Sequence, residues 1–264
     1  MRFTLLADLS KAAGFKSEFG LSLLLENDGG RWLFDTGSSD ALIYNSRKLN
    51  IAETALKKVI LSHGHYDHTG GLAALKPEMI YAAAGVDSVH YSKHADGEMH
   101  HISMPEDSRK VFEKFPVTLI TGFSEISPGI FLSGAIPRIS GEDCGGDFFH
   151  DIEAKQKDIV PEEQFLLTAD GILVTGCCHA GIINSLEFCC KCHPEIAVRA
   201  IVGGLHLRHA GKRRLTETAE YLRASSVKEL YIGHCTGENA IEYLKTALPE
   251  CRIVTPLPGE TWEI

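Results

Sequence analysis

One short segment constrains this chain more than any other. Residues 61–71, "LSHGHYDHTGG", place three histidines and an aspartate within six positions, directly after an apolar run. In an extended segment, side chains two residues apart project to the same side, so His63 and His65 can bind one metal ion. Asp67 and His68 follow where the chain is predicted to bend into a helix, so they point to a neighbouring position. The spacing therefore predicts two adjacent half-sites for metal ions.

Three later histidines are candidates to complete this site. His179, His206 and His234 each follow an apolar segment that is predicted to be a strand, and α/β folds place their working residues at the ends of strands. For each histidine alone, the alternative is a side chain that caps a strand or fills a polar gap. Asp35, at the end of "RWLFD", could accept a hydrogen bond from a metal-bound imidazole. The alternative for Asp35 is an aspartate that caps its own turn.

Strand-like and helix-like segments alternate in both halves of the chain, which predicts an α/β fold. The first three strands are expected in "RFTLLAD", "GLSLLLEN" and "RWLFDTG", with a hairpin turn around Gly29, and Ser38 or Ser39 is expected to cap the next helix. Residues 85–160 are polar, rich in histidine and broken by glycine and proline, so we expect them to cover a site. Since no linker or repeat divides the sequence, we predict one domain over residues 1–264.

Composition limits the partners of the protein. The net charge is -9, which argues against nucleic acid or an anionic membrane, because no excess of Lys and Arg exists to replace phosphate counterions. No run of about 18 apolar residues suggests a membrane span. The N-terminal "MRFTLLADLS" is interrupted by Asp8, so it is predicted to be a strand rather than a signal peptide. We therefore expect a soluble cytoplasmic protein with a small-molecule substrate.

The cysteines do not suggest a disulfide framework. The 8 cysteines are irregularly spaced, so reduced thiols are expected. In "FCCKCH", Cys189, Cys190, Cys192 and His193 could suggest a zinc or iron–sulfur site, but they lack the usual CxxC spacing and fall in a predicted helix. We therefore interpret them as structural thiols.

Beyond these local patterns, the sequence resembles the metallo-β-lactamase superfamily, whose hallmark is HxHxDH after a buried strand. Longer segments, including "GLSLLLENDGGRWLFDTG", "ILSHGHYDHTGGL", "SPGIFLSGAIPR", "ILVTGCCHAGIINSL", "GGLHL" and "YIGHCTGENAIEYL", are similar to one branch. That branch comprises the 7,8-dihydropterin-6-yl-methyl-4-(β-D-ribofuranosyl)aminobenzene 5'-phosphate synthase-like proteins. The resemblance implies an αββα four-layer sandwich, in which two mixed β-sheets lie face to face with helices outside and metals at one edge.

The resemblance also implies how the ligands are divided between two divalent metal ions. It assigns one ion to His63, His65 and His179, and the other to Asp67, His68 and His234. Zinc is the expected metal, with manganese or iron as alternatives and magnesium as a further alternative for a synthase reaction. The predicted catalytic residues are Asp67 and His206, and His206 is expected near the substrate or as an alternative ligand.

One position departs from the superfamily pattern. The superfamily commonly bridges its two metals with an aspartate after a strand, whereas "VTGCCHAG" has Cys177 at that place. The apolar strand before it and the small Gly176 favour burial of the thiol. We therefore expect Cys177 to turn into the core without bridging, and the second metal to bind more weakly than the first. The alternatives are that Cys177 coordinates as a thiolate or that His179 takes over part of the bridging role.

The branch implies a specific reaction, in which an arylamine attacks the methylene carbon of a dihydropterin diphosphate and pyrophosphate leaves. Arg138 and Arg208 are candidate ligands for substrate phosphate, because a guanidinium offers two parallel donors; the alternative for both is an ordinary surface charge. The competing functions are a metal-dependent hydrolase of a phosphodiester or lactone, and a non-catalytic metal-binding or sensor domain. The sequence does not define the oligomeric state.

Overall fold

A computed structural model describes residues 1–94, 96–142 and 146–264 of the chain. The described residues form strands at β1 (Arg2–Ala7), β2 (Ser22–Asn27), β3 (Gly30–Phe34), β4 (Lys58–Ile60), β5 (Met79–Ala83), β6 (Tyr91–Lys93), β7 (Met99–His101), β8 (Val117–Ile120), β9 (Ser124–Ser127), β10 (Ile130–Leu132), β11 (Phe148–Phe149), β12 (Lys157–Asp158), β13 (Leu166–Thr168), β14 (Ile172–Thr175), β15 (Ala200–Gly203), β16 (Glu229–Ile232), β17 (Arg252–Val254) and β18 (Thr261–Glu263). The α-helices are α1 (Ala41–Lys48), α2 (Tyr66–Thr69), α3 (Glu106–Lys114), α4 (Ile182–Cys192), α5 (Lys212–Ala224) and α6 (Glu238–Ala247). Short 3₁₀ helices span Glu53–Leu56, Gly70–Ala74 and His234–Thr236.

Two large mixed sheets organise these elements. The first has the strand order β18-β1-β2-β3-β4-β5-β8 and the second β17-β16-β15-β14-β13-β10-β9. In the first sheet, β3, β4, β5 and β8 are parallel, and in the second β14 to β17 are parallel, while the remaining neighbours pair antiparallel. The expected hairpin joins β2 and β3, with Asn27 opposite Gly30.

Apolar residues on both faces of the strands produce the layered architecture. On β2, Leu23 and Leu25 pack into the cluster between the two sheets, whereas Leu24 packs into a cluster on the outer face of the first sheet. On β14, Val174 likewise faces the cluster between the sheets, and Leu173 faces the helical side of the second sheet. Because side chains alternate along a strand, such continuous apolar runs are typical of sheets covered on both faces. The predicted αββα sandwich is confirmed.

Residues 85–160, expected to cover a site, contribute to more than one part of the structure. The strands β6, β7, β11 and β12 form a separate four-stranded sheet, which we call the cap sheet. In contrast, β8 lies at one edge of the first large sheet, and β10 and β9 end the second. Ile120 of β8 and Ile130 and Leu132 of β10 are buried in the cluster between the two sheets. Residues 61–71, the predicted metal-binding segment, are joined to the chain that follows β7 of the cap sheet. The Tyr66 backbone N–H donates to the Ile102 carbonyl at 2.8 Å.

One local expectation differs from the structure. Helix α1 begins after Asp40 rather than at Ser38 or Ser39. The backbone N–H groups of both serines donate to the Glu18 carboxylate at 2.9 and 3.2 Å, so a distant glutamate holds this turn.

Among the described residues, no helix combines the length and apolar character that crossing a membrane requires.

The outer packing of the second sheet can be tested by truncating Leu173, which is fully buried. Leu173→Ala should lower the free energy of unfolding by about 2–5 kcal/mol, because it removes apolar contacts and leaves a cavity. The matched control is Leu119→Ala on the edge strand β8, where the leucine is 52% exposed and a change within about 0.5 kcal/mol is expected. Urea unfolding at equal metal content measures both. A loss for Leu173→Ala no larger than the control would contradict this packing.

Candidate metal centre

The polar side chains of the centre come from strand ends that meet at one edge of the sandwich. Asp8, Asp35 and the segment from Ser62 follow β1, β3 and β4 in the first sheet. In the second sheet, Cys177, His206 and His234 come after β14, β15 and β16. Parallel strands bring their carboxyl ends to the same edge, and the facing of the two sheets brings both sets of residues together.

Three histidines form the first ligand group, which we call the three-histidine cluster: His63, His65 and His179. Their candidate ligand atoms all lie within 4.8 Å of one another, and the ring centroids are 4.6 to 4.8 Å apart. All three are buried, yet within the described part of the chain Nε2 of His63, Nε2 of His65 and both ring nitrogens of His179 have no hydrogen-bond partner. Buried nitrogens without a partner are costly, and a metal ion would coordinate one nitrogen of each ring. The residues therefore fit a metal ion.

The protonation states of these histidines suit metal binding. Burial, followed by the repulsion of neighbouring histidines, holds the pKa of His63 and His179 well below the usual value and lowers that of His65 to about 3. The three imidazoles are therefore neutral near pH 7, and a neutral imidazole is the form that coordinates metal.

A second group, which we call the mixed cluster, comprises Asp67, His68, Cys177 and His234. Nε2 of His68 and Nε2 of His234 each lie 3.4 Å from Asp67 Oδ2 and 3.2 Å from each other. Cys177 Sγ is 3.2 Å from His68 Nε2 and 3.3 Å from His234 Nε2. Ligands on one tetrahedral ion at 2.0–2.3 Å are separated by about 3.3–3.8 Å, so these four side chains also fit a metal ion.

The expected direction of the Cys177 side chain was wrong. The thiol is buried, but it faces the mixed cluster and also lies within 4.8 Å of ligand atoms of His179 and His206. The chain turns at Cys178, which has a φ of 65° and packs into the core in its place. Burial raises the pKa of Cys177 well above its usual value, so its thiolate would form only with an adjacent cation.

Asp35 orients ligands of both groups. Its Oδ2 is 2.7 Å from His68 Nδ1 and accepts the Ser62 hydroxyl at 2.7 Å, while its Oδ1 accepts the Ser62 backbone N–H. The Ser62 hydroxyl in turn lies 2.9 Å from His63 Nδ1. A carboxylate on the outer nitrogen of a ligand histidine fixes the direction of its ring. One aspartate thus holds His68 directly and His63 through Ser62.

Two buried acids near the site escaped the sequence analysis. Asp8 Oδ1 lies 3.8 Å from His234 Nδ1, and neither atom has a hydrogen-bond partner in the described residues. Both residues line a cavity of about 20 Å³, which is large enough for one water. Glu163 accepts the backbone N–H groups of His179 and Ala180 at 2.7 and 2.6 Å, so it fixes the turn that carries His179. For Asp8, the available signal was a polar residue ending an apolar strand.

The other predicted residues lie around these clusters. His206, with a φ of 50°, places its ring 4.4 Å from that of His179. On the cap sheet, Phe148 lies 5.1 Å from the ring of His65 and 5.0 Å from that of His179. Among the described cysteines, those of "FCCKCH" do not converge: Cys189 is buried on α4, whereas Cys190 is exposed.

Both candidate phosphate ligands lie near the clusters but bind main-chain carbonyls. The Arg138 guanidinium donates to the carbonyl of His179 at 2.7 Å and to that of Ile159. Arg208 donates to the carbonyl of His234 at 2.9 Å, and its guanidinium lies 5.6 Å from the ring centroid of Phe19. Each arginine therefore supports the backbone of a ligand histidine, and its contact with phosphate stays a prediction.

The geometry predicts that Cys177 is a metal ligand. Cys177→Ser should weaken metal binding to the mixed cluster by more than the roughly 10–100-fold typical of losing an outer hydrogen-bond partner. The adjacent Cys178→Ser is the matched control, because Cys178 packs in the core. Chelator titration of zinc-loaded protein measures the release of each ion. Unchanged release from Cys177→Ser would return the thiol to a structural role.

Comparisons with known proteins identify the family of the chain. Residues 17–141 match the family model described as the metallo-beta-lactamase superfamily. The structure titled as that of Tm1679, a metal-dependent hydrolase of the beta-lactamase superfamily, is 30% identical and aligns with a TM-score of 0.88 over 100% of this chain and 99% of that chain. Human tRNase Z, short form, shares the fold, with a TM-score of 0.55 at 12% identity over 100% of this chain and 99% of that chain.

Two proteins of Methanocaldococcus jannaschii are similar over most of the chain. A 7,8-dihydropterin-6-methyl-4-(beta-D-ribofuranosyl)-aminobenzene-5'-phosphate synthase is 31% identical over 253 residues, which cover 86% of this chain and 83% of the synthase. The uncharacterized protein MJ0448 is 28% identical over 250 residues, covering 91% and 92% of the two chains. The chain therefore belongs to the metallo-β-lactamase superfamily, in the branch that contains this synthase, and is a metal-dependent enzyme of that fold.

Proposed function

We propose that the enzyme joins a dihydropterin diphosphate to an arylamine of the ribofuranosylaminobenzene phosphate type and releases pyrophosphate. The name of the 31% identical relative supports this reaction. The observation that carries the proposal is the adjacency of two complete ligand groups, whose rings His63 and His68 lie 4.2 Å apart. Two cations side by side match the paired charges of a diphosphate leaving group.

The reaction forms one carbon–nitrogen bond and breaks one carbon–oxygen bond. The arylamine nitrogen attacks the methylene carbon of the dihydropterin, and the bonding electron pair leaves with the diphosphate. The nitrogen then loses one proton. When bound, the two divalent ions would supply charge stabilisation for the leaving diphosphate.

The residues of the chain hold these ions in different environments. Neutral imidazoles alone form the three-histidine cluster, whereas the mixed cluster adds a thiol and a carboxylate. Burial alone would raise the pKa of Asp67, but the neighbouring His68 and His234 hold this pKa well below its usual value. Asp67 is therefore available as a carboxylate. Imidazole, thiolate and carboxylate together favour zinc, with manganese and iron as alternatives, and disfavour magnesium.

His206 is the proposed proton acceptor for the attacking amine. It lies beside His179 and is only partly buried, which leaves it open to a substrate. Its Nδ1 has no hydrogen-bond partner among the described residues, and histidine is the side chain that most often serves as a general base. Arg138 and Arg208 hold the neighbouring backbone and, in this proposal, direct their remaining N–H groups at substrate phosphate.

The second candidate function is metal-dependent hydrolysis of a phosphodiester or lactone. The similarity to Tm1679, which is described as a metal-dependent hydrolase, favours it. The same two ligand groups would then hold ions that lower the pKa of a water. The third interpretation, a non-catalytic sensor domain, is set aside because the family relationship identifies an enzyme.

The proposed substrate is a phosphorylated small molecule. A net charge of -9 gives no support to a nucleic-acid substrate, although the fold is shared with tRNase Z. A cytoplasmic location is part of the same proposal. The Cys177 thiol of the mixed cluster must be reduced to bind metal, and the cytoplasm keeps thiols reduced.

Incubating zinc- or manganese-loaded protein with a dihydropterin diphosphate and the arylamine phosphate tests the proposal directly. We expect pyrophosphate release that requires both substrates and yields one coupled product per pyrophosphate. Parallel incubations contain a generic phosphodiester or a lactone. Turnover of either, without any dependence on the amine, would favour the hydrolase and contradict the synthase.

The role of His206 can be separated from metal binding. His206→Gln should lower kcat by about 10²–10⁴-fold, the usual contribution of a general base, while both ions remain bound. His100→Ala, an exposed histidine of the cap sheet, is the matched control and should leave kcat unchanged. Loss of a metal ion from His206→Gln would instead identify His206 as a ligand.

A further inference from the structure

A buried polar network outside both ligand groups joins the cap to the metal-binding segment. His90 Nδ1 lies 2.6 Å from Asp158 Oδ2, and His90 Nε2 lies 3.4 Å from Glu162 Oε1. All three side chains are at most 2% exposed. His150 extends the network towards the surface, with its Nε2 3.3 Å from Asp158 Oδ1. Buried polar groups of this kind are retained only when they satisfy one another.

This network ends on the backbone between two metal ligands. Glu162 Oε1 accepts the backbone N–H of Gly64 at 3.2 Å, and Gly64 separates His63 from His65. A Cβ at Gly64 would lie 2.8 Å from His90 Nε2 and 2.3 Å from the Val86 carbonyl oxygen. The imidazole of His90 therefore packs directly against this peptide, and glycine is required there because a side chain would displace it.

His90 also contacts one of the ligands. Its ring centroid is 5.2 Å from that of His65, at an angle of 81°. His65 Nε2 and His90 Nε2 are both buried, and neither has a hydrogen-bond partner in the part of the chain that the structure describes. The ring of His65 thus contacts the other two members of its cluster, His63 and His179, and also contacts His90.

We propose that His90, held by Asp158 and Glu162, is a positioning residue that fixes the peptide at Gly64 and thereby aims His63 and His65 at the first ion. Metal ligands must be held within about 0.5 Å of the productive geometry by their surroundings. Asp35 holds the outer nitrogen of His68 and reaches His63 through Ser62, but among its described hydrogen bonds none reaches His65. The His90 network supplies that support from the cap side.

A different reading would make His65, His90 and Asp158 ligands of a third ion, since their candidate atoms lie within 4.8 Å of one another. The 2.6 Å separation of His90 Nδ1 and Asp158 Oδ2 is that of a hydrogen bond. It is shorter than the roughly 3.3 Å expected between two ligands of one ion. The geometry therefore favours a hydrogen-bonded pair over a third metal site.

The test measures metal binding, so it is independent of which reaction the enzyme catalyses. His90→Ala should weaken binding of the first ion by roughly 10–100-fold, as loss of an outer partner does elsewhere, with the mixed cluster unchanged. Chelator competition measures each affinity, and the absorption spectrum of cobalt-substituted protein should shift for the first site alone. His100→Ala is the matched control on the cap sheet.

Two further variants guard against general destabilisation. Glu162→Gln can still accept the Gly64 N–H, so it should fold and show a smaller loss of affinity than His90→Ala. His90→Gln keeps a hydrogen-bonding side chain next to Asp158 and should restore part of the lost affinity. Normal first-ion affinity in His90→Ala, or equal weakening of both ions together with a lowered Tm, would overturn the proposal. Three bound ions in the wild type and two in His90→Ala would instead establish the third metal site.

Discussion

The metal centre is constrained most by the burial of many histidine, aspartate and cysteine side chains at one edge of the sandwich. Several of their polar atoms have no hydrogen-bond partner among the described residues. The three-histidine cluster alone contains four buried ring nitrogens that lack hydrogen bonds. An apolar environment disfavours such atoms, and each lost hydrogen bond costs on the order of 1–3 kcal/mol. Bound metal ions would replace missing hydrogen bonds with coordination bonds. The fold supplies the remaining stability, because two sheets covered on both faces by apolar residues hold the strand ends in register.

The elements most visible in the sequence are those whose chemistry is local. His63, His65, Asp67 and His68 lie within one short segment, so their grouping needed only the alternation of an extended chain and the start of a helix. Alternating strand-like and helix-like segments predicted an α/β fold, whereas the four-layer sandwich was implied by the family resemblance. The role of Asp35 could be predicted for the same reason, because this residue follows a strand directly.

Other features depend on contacts between distant segments and could not be read from local patterns. Asp8 and His234 are separated by most of the chain and meet only because the two sheets face each other. Glu18 binds the backbone N–H groups of the two serines that were expected to cap α1, and His90 meets Glu162 only when distant segments fold together near Gly64. The direction of Cys177 depended on the backbone turn at Cys178, and a sequence of two adjacent cysteines does not reveal which one faces the core.

The central claim is that two neighbouring ligand groups each hold a divalent ion. A crystal of zinc-saturated protein, measured above and below the zinc absorption edge, tests it most directly. We expect two anomalous peaks, one among His63, His65 and His179 and the other among Asp67, His68, Cys177 and His234, with ligand distances of about 2.0–2.3 Å. No peak, or one peak equidistant from both groups, would contradict it.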